Sequence, residues 1–308
     1  MTDLAGIAVF TEVARLGGFT AAAQSLGLSK STVSKQIARL EDRLDVKLLH
    51  RTTRRLSLTE VGQAYFERCR RIIEEAEEAE QAVTHLHAEP RGTLRVNVPM
   101  SFGILHVAEV LPAFMAQYPD LSVDLELNDR RVDLVDEGFD MAIRIGKLSD
   151  STLVARRLAP CRIAVVASPD YWTKHGKPAH PEDLKHHRSL IYTLRSRPTE
   201  MQFRGPDGLI SVNGTGRLRA NNGNLLLTAA KAGTGVYICP TFFCGPGLKD
   251  GSLEEALIDY PPPETTVYAV WPQSRHLSAK VRAFVDFLVD AFGPEPYWDR
   301  GLTLPPPT

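Results

Sequence analysis

The sequence predicts an α/β chain in three parts: an all-α N-terminal domain with a short β-wing (1–60), a long linker helix (61–89), and two α/β subdomains (92–308). Three observations carry this. Short apolar periods at helical spacing fill the first sixty residues. A heptad stripe follows them, and beyond Pro90 strand and helix patterns alternate. At 308 residues the chain is also too long for one average domain.

The first helix is marked by Leu4, Ile7, Phe10, Val13 and Ala14 and stopped by Gly17-Gly18. Thr20 is placed to cap a second helix over Ala21–Leu26, which Gly27 ends. Ser29 is placed to cap a third, from Lys30 to about Leu44. Two helices joined by a tight Gly-containing turn form a helix-turn-helix, here about 19–38. Leu48-Leu49, the basic turn 51–55 and Leu56–Leu58 then suit a β-wing. Tyr65, Cys69, Ile72, Ala76, Ala79, Val83 and Leu86 are spaced alternately four and three apart, an a/d seam that predicts a dimer helix. A helix packed on its own domain is the alternative.

Pro90-Arg91-Gly92 breaks that helix. Strands are expected at Thr93–Val98, Leu121–Leu127, Met141–Ile145, Arg162–Ala167, Val236–Cys239 and Thr266–Trp271. Helices are expected at Phe102–Tyr118, Val132–Glu137, Asn224–Ala232 and His276–Phe292. The chain should cross from subdomain I (about 92–162) to subdomain II (about 163–266) and return over 267–292, leaving a cleft between them. The tail 294–308, with five prolines, should be irregular.

Composition narrows the function classes. With 43% hydrophobic and 24% charged residues the chain looks like an ordinary globular protein. No apolar run is expected to reach the roughly 18 residues of a membrane span, and the N-terminus lacks a basic leader, so a cytoplasmic protein is expected. Cys69, Cys161, Cys239 and Cys244 are scattered, which argues against a disulfide framework or a zinc site. Net charge is −1, but Ser29–Arg55 carries eight Lys/Arg against three acids, while Glu60–Glu89 carries eight Glu against three Arg. Local positive charge is what phosphate contacts need.

In the third helix Val33, Ile37, Leu40 and Leu44 fall within about 60° of one another and face the core. The outer face carries Ser31, Ser34, Lys35 and Ala38, with Lys30 at its leading edge. Small side chains let a helix enter the major groove, where hydroxyls and ammonium groups reach bases and phosphates. A solvated basic face would look the same. The stretch FTAAAQSLGLSKSTVSKQIARLEDRLDVKLLHRTTRRLSLTEVG (19–62) decides for the first reading, because it resembles the N-terminus of the LysR-type transcriptional regulators. The resemblance rests on Phe19, Ala22-Ala23, Leu26, Ser34, Ile37, Leu40-Glu41, Leu48, Arg51, Leu58-Thr59 and Gly62. PDLSVDLELNDRRVDLVDEGFDMAIRIG, AGTGVYICP and VRAFVDFL resemble the family's effector domain.

The resemblance implies a winged helix-turn-helix, a dimerising linker helix, and an effector domain of two α/β subdomains similar to type 2 periplasmic solute-binding proteins. It implies a sequence-specific DNA-binding regulator, not an enzyme, modulated by a small-molecule effector. Its partners would be double-stranded operator DNA with two half-sites and itself, as homodimer or dimer of dimers, and the family leaves RNA polymerase open as a further one. Carried over by residue, Lys30, Ser31 and Ser34 would read bases and Lys35 would hold phosphate. Arg51, Thr52, Thr53 and Arg54 would make the wing contacts. Lys30-Ser31 replaces the family's common Gln-Pro, and Asp45 stands where Gly is usual, a position Asp tolerates in the left-handed conformation.

Strand C-terminal ends and helix starts place the effector near Met100, Ser101, Phe102, Asn128 and Asp129 of subdomain I and Tyr192, Asn221 and Val236 of subdomain II. A small organic anion, such as an aromatic carboxylate, is expected there; Ser101, Asn221 and Tyr192 also admit ordinary capping or core roles. Asp140 and Arg144 read as structural. No cofactor or metal site is expected: His186-His187 lacks matched ligands, and Gly233-Thr-Gly235 is no dinucleotide fingerprint. A transport module or an enzyme on the same scaffold would need a leader peptide or a nucleophile–base pair, and neither pattern occurs.

Overall fold

The structure, a computed structural model, describes residues 3–51, 56–84, 89–146, 148, 153–273 and 278–302. Residues 1–88 and 89–308 form two compact units.

The first unit holds α1 (Leu4–Leu16), α2 (Phe19–Ser25), α3 (Lys30–Leu44), the antiparallel strands β1 (Leu49–Arg51) and β2 (Leu56–Leu58), and α4 (Glu60–Thr84). Their apolar faces meet around Phe10, Val13, Val33, Ile37, Leu40 and Leu48, all fully buried. Gly17 ends α1 in the left-handed conformation (φ 65°). Contrary to expectation Thr20 caps nothing. Extended Gly18 precedes α2, and the helix starts at Phe19, which packs on this core. The linker is not a separate piece either, because α4 starts inside the domain. A Cβ on Gly62 would lie 2.0 Å from the Leu48 carbonyl oxygen, so only glycine lets α4 approach the wing this closely.

In the second unit, β3 (Gly92–Val98) leads into one helical run, Met100–Gln117. It comprises α5 (Met100–Phe102), a π-turn at Gly103–Val107 and α6 (Ala108–Gln117). By length and composition this run is apolar enough to cross a membrane, contrary to the sequence expectation. Phe102, Val107 and Phe114 are nonetheless wholly buried in the core. β4 (Leu121–Leu127) and β5 (Met141–Ile145) follow. Between them the expected helix is absent: residues 134–138 form turns, in which Asp133 Oδ1 accepts the amides of Val135 (2.9 Å) and Asp136 (3.1 Å). β6 (Leu153–Cys161) and β7 (Ile163–Ala167) are joined at Arg162. Then come α7 (Pro169–His175), β8 (Arg188–Tyr192), the hairpin β9 (Glu200–Gly205) and β10 (Gly208–Asn213), β11 (Thr215–Ala220), α8 (Gly223–Lys231), β12 (Val236–Pro240), α9 (Thr241–Asp250), β13 (Glu254–Ala256), β14 (Thr265–Pro272) and α10 (Ala279–Phe292).

Two five-stranded sheets result, in the orders β4-β3-β5-β14-β6 and β11-β8-β12-β7-β13. β3 runs parallel to β4 and β5, and β8 parallel to β11 and β12. The chain crosses between sheets at Arg162 and again over 257–264, where Arg162 Nε lies 3.3 Å from Glu264 Oε1. Of the tail, residues 294–302 are described, and 303–308 lie outside the described residues. A 3-10 turn at Tyr297–Asp299 buries Trp298 against Phe102, His106, Phe242 and Phe292. Asp140 and Arg144 are structural: Asp140 pairs with buried Lys280 (3.1 Å) and accepts the Arg95 amide (2.8 Å), and Arg144 donates to Asn97.

Candidate nucleic-acid interface and effector cleft

Helix α3 is fixed at both ends. Ser29 Oγ accepts the Thr32 amide (3.1 Å), and Asp45 takes the left-handed conformation at φ 53°. Val33, Ile37 and Leu40 bury one face, leaving Lys30, Ser31 and Lys35 exposed and Ser34 half-buried on the other. Ser31 Oγ also lies 2.8 Å from Ser29 Oγ, which ties it to the cap. Among the described residues no carboxylate pairs with Lys30, Lys35 or Arg39. Exposed Arg39 was missed, although its i+4 spacing from Lys35 puts both on one face. Arg51 lies in β1, opposite Leu56; its side chain and the whole of Thr52, Thr53 and Arg54 fall outside the described residues.

The motif residue Glu41 has a role that the sequence hid. Its buried carboxylate accepts the amides of Leu48 (2.9 Å) and Leu49 (3.2 Å) and meets Lys47 Nζ at 3.0 Å. It therefore hangs the wing from the C-terminal part of α3. Burial opposes its charge, but Lys47 and the two amides outweigh burial and hold the carboxyl below its ordinary value.

The seam of α4 divides. Half-buried Tyr65 packs against Phe10 (ring centroids 5.5 Å apart) and Cys69 is buried, so both contribute to the core of their own domain. The cause is local: the turns of α4 next to Gly62 lie against α1. Ile72 and Ala76, further on, are exposed. The side chains of Ala79 and Val83, and all of Leu86, fall outside the described residues.

In the second unit the C-terminal ends of parallel strands from both sheets meet. Met100 follows β3, Asp129 follows β4, Tyr192 ends β8 and Asn222 follows β11. Asn222 Nδ2 lies 3.5 Å from Met100 Sδ. Burial, and then Asp129, push the Tyr192 hydroxyl upward. Several expected residues are placed differently. The cap of α8 is Asn222, whose Oδ1 accepts the Leu225 amide (3.0 Å), and exposed Asn221 lies one residue outside it. Phe102 is buried among Phe242, Phe292 and Trp298, which makes it core and not cleft wall. Val236 begins β12 beside Ser189, at the strand end away from the cleft, and packs in the core of subdomain II. Asn128 extends the ladder, its amide donating to Val98 O (3.0 Å) and its Nδ2 to Glu126 Oε1 (2.7 Å). Ser101 Oγ is buried with no hydrogen-bond partner among the described residues.

The first turn of the Met100 helix is not open to an incoming anion, because Asp129 Oδ1 already accepts the Met100 amide at 2.9 Å. A cation was missed instead. Arg195, in the loop after β8, donates from Nη2 to Ile238 O (3.1 Å) and has no carboxylate partner among the described residues.

Comparisons with known proteins agree with this arrangement. Residues 4–63 match the family model "Bacterial regulatory helix-turn-helix protein, lysR family", and residues 87–293 match "LysR substrate binding domain". An HTH-type transcriptional regulator of Xanthomonas campestris pv. campestris is 41% identical over 93% of this chain and 85% of its own length. The transcriptional activator AaeR of Escherichia coli is 34% identical over 95% and 94%. Among solved structures, CrgA of Neisseria meningitidis, a LysR-type regulator, superposes with a TM-score of 0.60 at 32% identity, covering 94% of this chain and 99% of that one. The chain belongs to the LysR family of DNA-binding transcriptional regulators, with a C-terminal effector-binding domain; its relatives are regulators, not enzymes.

Proposed function

We infer that this regulator reads an operator of two half-sites with the outer face of α3, as a cytoplasmic homodimer or dimer of dimers. Lys30, Ser31 and Ser34 meet base edges. Lys35, with Arg39, holds phosphate, and the wing tip 51–54 flanks them. The observation that supports this most is the exposed cationic face of a helix whose opposite face is packed, with no carboxylate paired to Lys30, Lys35 or Arg39 among the described residues. Ile72 and Ala76, followed by Ala79, Val83 and Leu86, supply the pairing surface. The effector is an organic anion held between the two sheets, and it acts on DNA binding by favouring one arrangement of the assembly. RNA polymerase contact belongs to the same reading.

A footprint of Ser34→Ala/Lys35→Ala on the chain's own upstream DNA is the test. Each lost base contact removes about 1–3 kcal/mol and the lost phosphate contact reduces the salt slope by about 1. Unchanged protection at unchanged affinity would reject this helix as the reader.

A further inference from the structure

The outer face of α3 changes sign along its length. At about 100° per residue, Ser31, Lys35, Ala38 and Asp42 fall on one stripe about 60° wide, opposite Val33 and Ile37. Exposed Lys30, Lys35 and Arg39 make the first part of the helix cationic. Exposed Asp42, and exposed Asp45 at the C-cap, make its end anionic. The cations nearest that end do not neutralise these acids, because each is engaged elsewhere. Arg43 Nη1 lies 3.7 Å from Asp3 Oδ2, and Lys47 Nζ lies 3.0 Å from Glu41 Oε2. Among the described residues no cation pairs with Asp42 or Asp45.

This placement works against the helix itself. A helix C-terminus carries partial negative charge from its free carbonyls and favours cations, while an N-terminus favours acids. The last turn and cap of α3 hold Asp42 and Asp45, and its first turn holds Lys30 and no acid. Both ends thus bear the charge that the helix disfavours. A charged target outside the protein accounts for that polarity. Asp42 lies about 16 Å along the axis from Ser31, more than the roughly 12 Å width of the major groove. When the N-terminal turns read bases, the two acids stand where the helix leaves the groove and the phosphates begin.

We propose that Asp42 and Asp45 determine specificity by repulsion: they hold the C-terminal end of α3 off the DNA backbone, so that α3 docks N-terminus first and duplexes other than the operator are bound weakly. This rests on the reading of the outer face of α3 as the base reader. On the operator, base contacts keep the C-terminal end clear of the phosphates, and the acids cost little. On other sequences nothing fixes the helix, and a pose that brings its C-terminal end to the backbone meets their charge.

The test is fluorescence anisotropy of full-length Asp42→Asn/Asp45→Asn on the chain's own upstream duplex and on a shuffled duplex of the same composition. Asn keeps the left-handed cap and relieves the clash with the helix dipole, so the melting temperature should not fall. Affinity for the shuffled duplex should rise about tenfold, at roughly twofold for each of the four carboxylates of a dimer. Affinity for the upstream duplex should rise less than about threefold, so the ratio of the two falls. Asp120→Asn/Asp259→Asn, which removes the same charge from exposed positions of the second unit, should leave that ratio unchanged. Unchanged or equal gains on both duplexes in Asp42→Asn/Asp45→Asn overturn the repulsive role, as does the same fall in ratio from Asp120→Asn/Asp259→Asn. A lower melting temperature assigns the two acids to the fold and overturns it too. In each of these cases α3 stands as the reader if Ser34→Ala/Lys35→Ala, measured alongside, loses the upstream duplex. Unchanged upstream affinity in Ser34→Ala/Lys35→Ala overturns the reader and the proposal with it.

Discussion

Replacing Glu41 with Ala should unfold the DNA-binding unit at a lower denaturant concentration and leave the effector domain untouched. The wing is suspended from this carboxylate by the amides of Leu48 and Leu49, and both residues are buried. Leaving a buried amide unpaired costs about 1–3 kcal/mol, so two cost about 2–6 kcal/mol. The Lys47 contact adds little, since that ammonium is 72% exposed. Against a stability of roughly 0.05–0.15 kcal/mol per residue for a unit of this size, the lower figure is already a large share. With a urea slope of about 1.5 kcal/mol/M the midpoint should fall by more than about 1 M. The assay separates the two units because Trp172, Trp271 and Trp298, the only tryptophans, all lie in the second unit. Helical circular dichroism should lose its N-terminal component early while tryptophan emission keeps its midpoint. Glu41→Gln, which retains one acceptor oxygen, should lose about 1 kcal/mol. Because the folded carboxyl lies below its ordinary value, its contribution is present above about pH 4.5 and is lost as pH falls through the folded value. An unchanged dichroism midpoint in Glu41→Ala, or a parallel shift in tryptophan emission, would refute this account of the wing.

Ile72→Glu with Ala76→Glu should dissociate the linker-mediated dimer in sedimentation, since both side chains are exposed on α4 and charges at an a/d seam face each other; an intact dimer would reject that seam. Burial depresses His106 to about 4, so neutral His106 supports the fold fully above about pH 6.5 and that support fades as pH falls toward 4. His106→Phe should flatten the acid limb of the Trp298 emission transition, and an unchanged limb counts against it. Lys280→Ala should cost about 3–5 kcal/mol by leaving Asp140 buried without its ion pair, and should cost more than the double variant Lys280→Met/Asp140→Leu; equal losses in the two would contradict a buried-charge penalty.

The first unit was legible because its signals are local. Ser29 caps α3, Asp45 turns its end, and Val33, Ile37 and Leu40 repeat at helical spacing. The strands at Leu121–Leu127 and Met141–Ile145 were legible too, the first from its alternation. α9 was not, because Gly245, Pro246 and Gly247 argue against a helix. Tertiary packing overrides them: a Cβ on Gly245 would stand 3.2 Å from the Trp298 carbonyl, and one on Gly247 would stand 2.8 Å from Leu253. β6 escaped because its first half is exposed and carries Arg156 and Arg157 side by side, and only its second half is buried. In the cleft, spacing located the strand ends but not which groups were already taken. That Asp129 occupies the Met100 amide, and that Arg195 reaches Ile238, depend on contacts between segments far apart in the chain.

The burial of Trp298 changes the mechanics of the effector domain. Two covalent crossings between the sheets define a line about which two rigid bodies can rotate freely. The chain end adds a third attachment. Lys249 Nζ of α9 donates to the Trp298 carbonyl (3.4 Å), Arg162 Nη1 lies 3.6 Å from Asp299 Oδ2, and the indole packs 4.5 Å from the His106 ring on the helical run of the other subdomain. Three points fix a plane where two leave an axis. Rotation of the subdomains is therefore coupled to that aromatic contact, and wide swinging requires it to slide or release. Small relative displacements, of the order that packed side chains accommodate, are the motions this geometry leaves free.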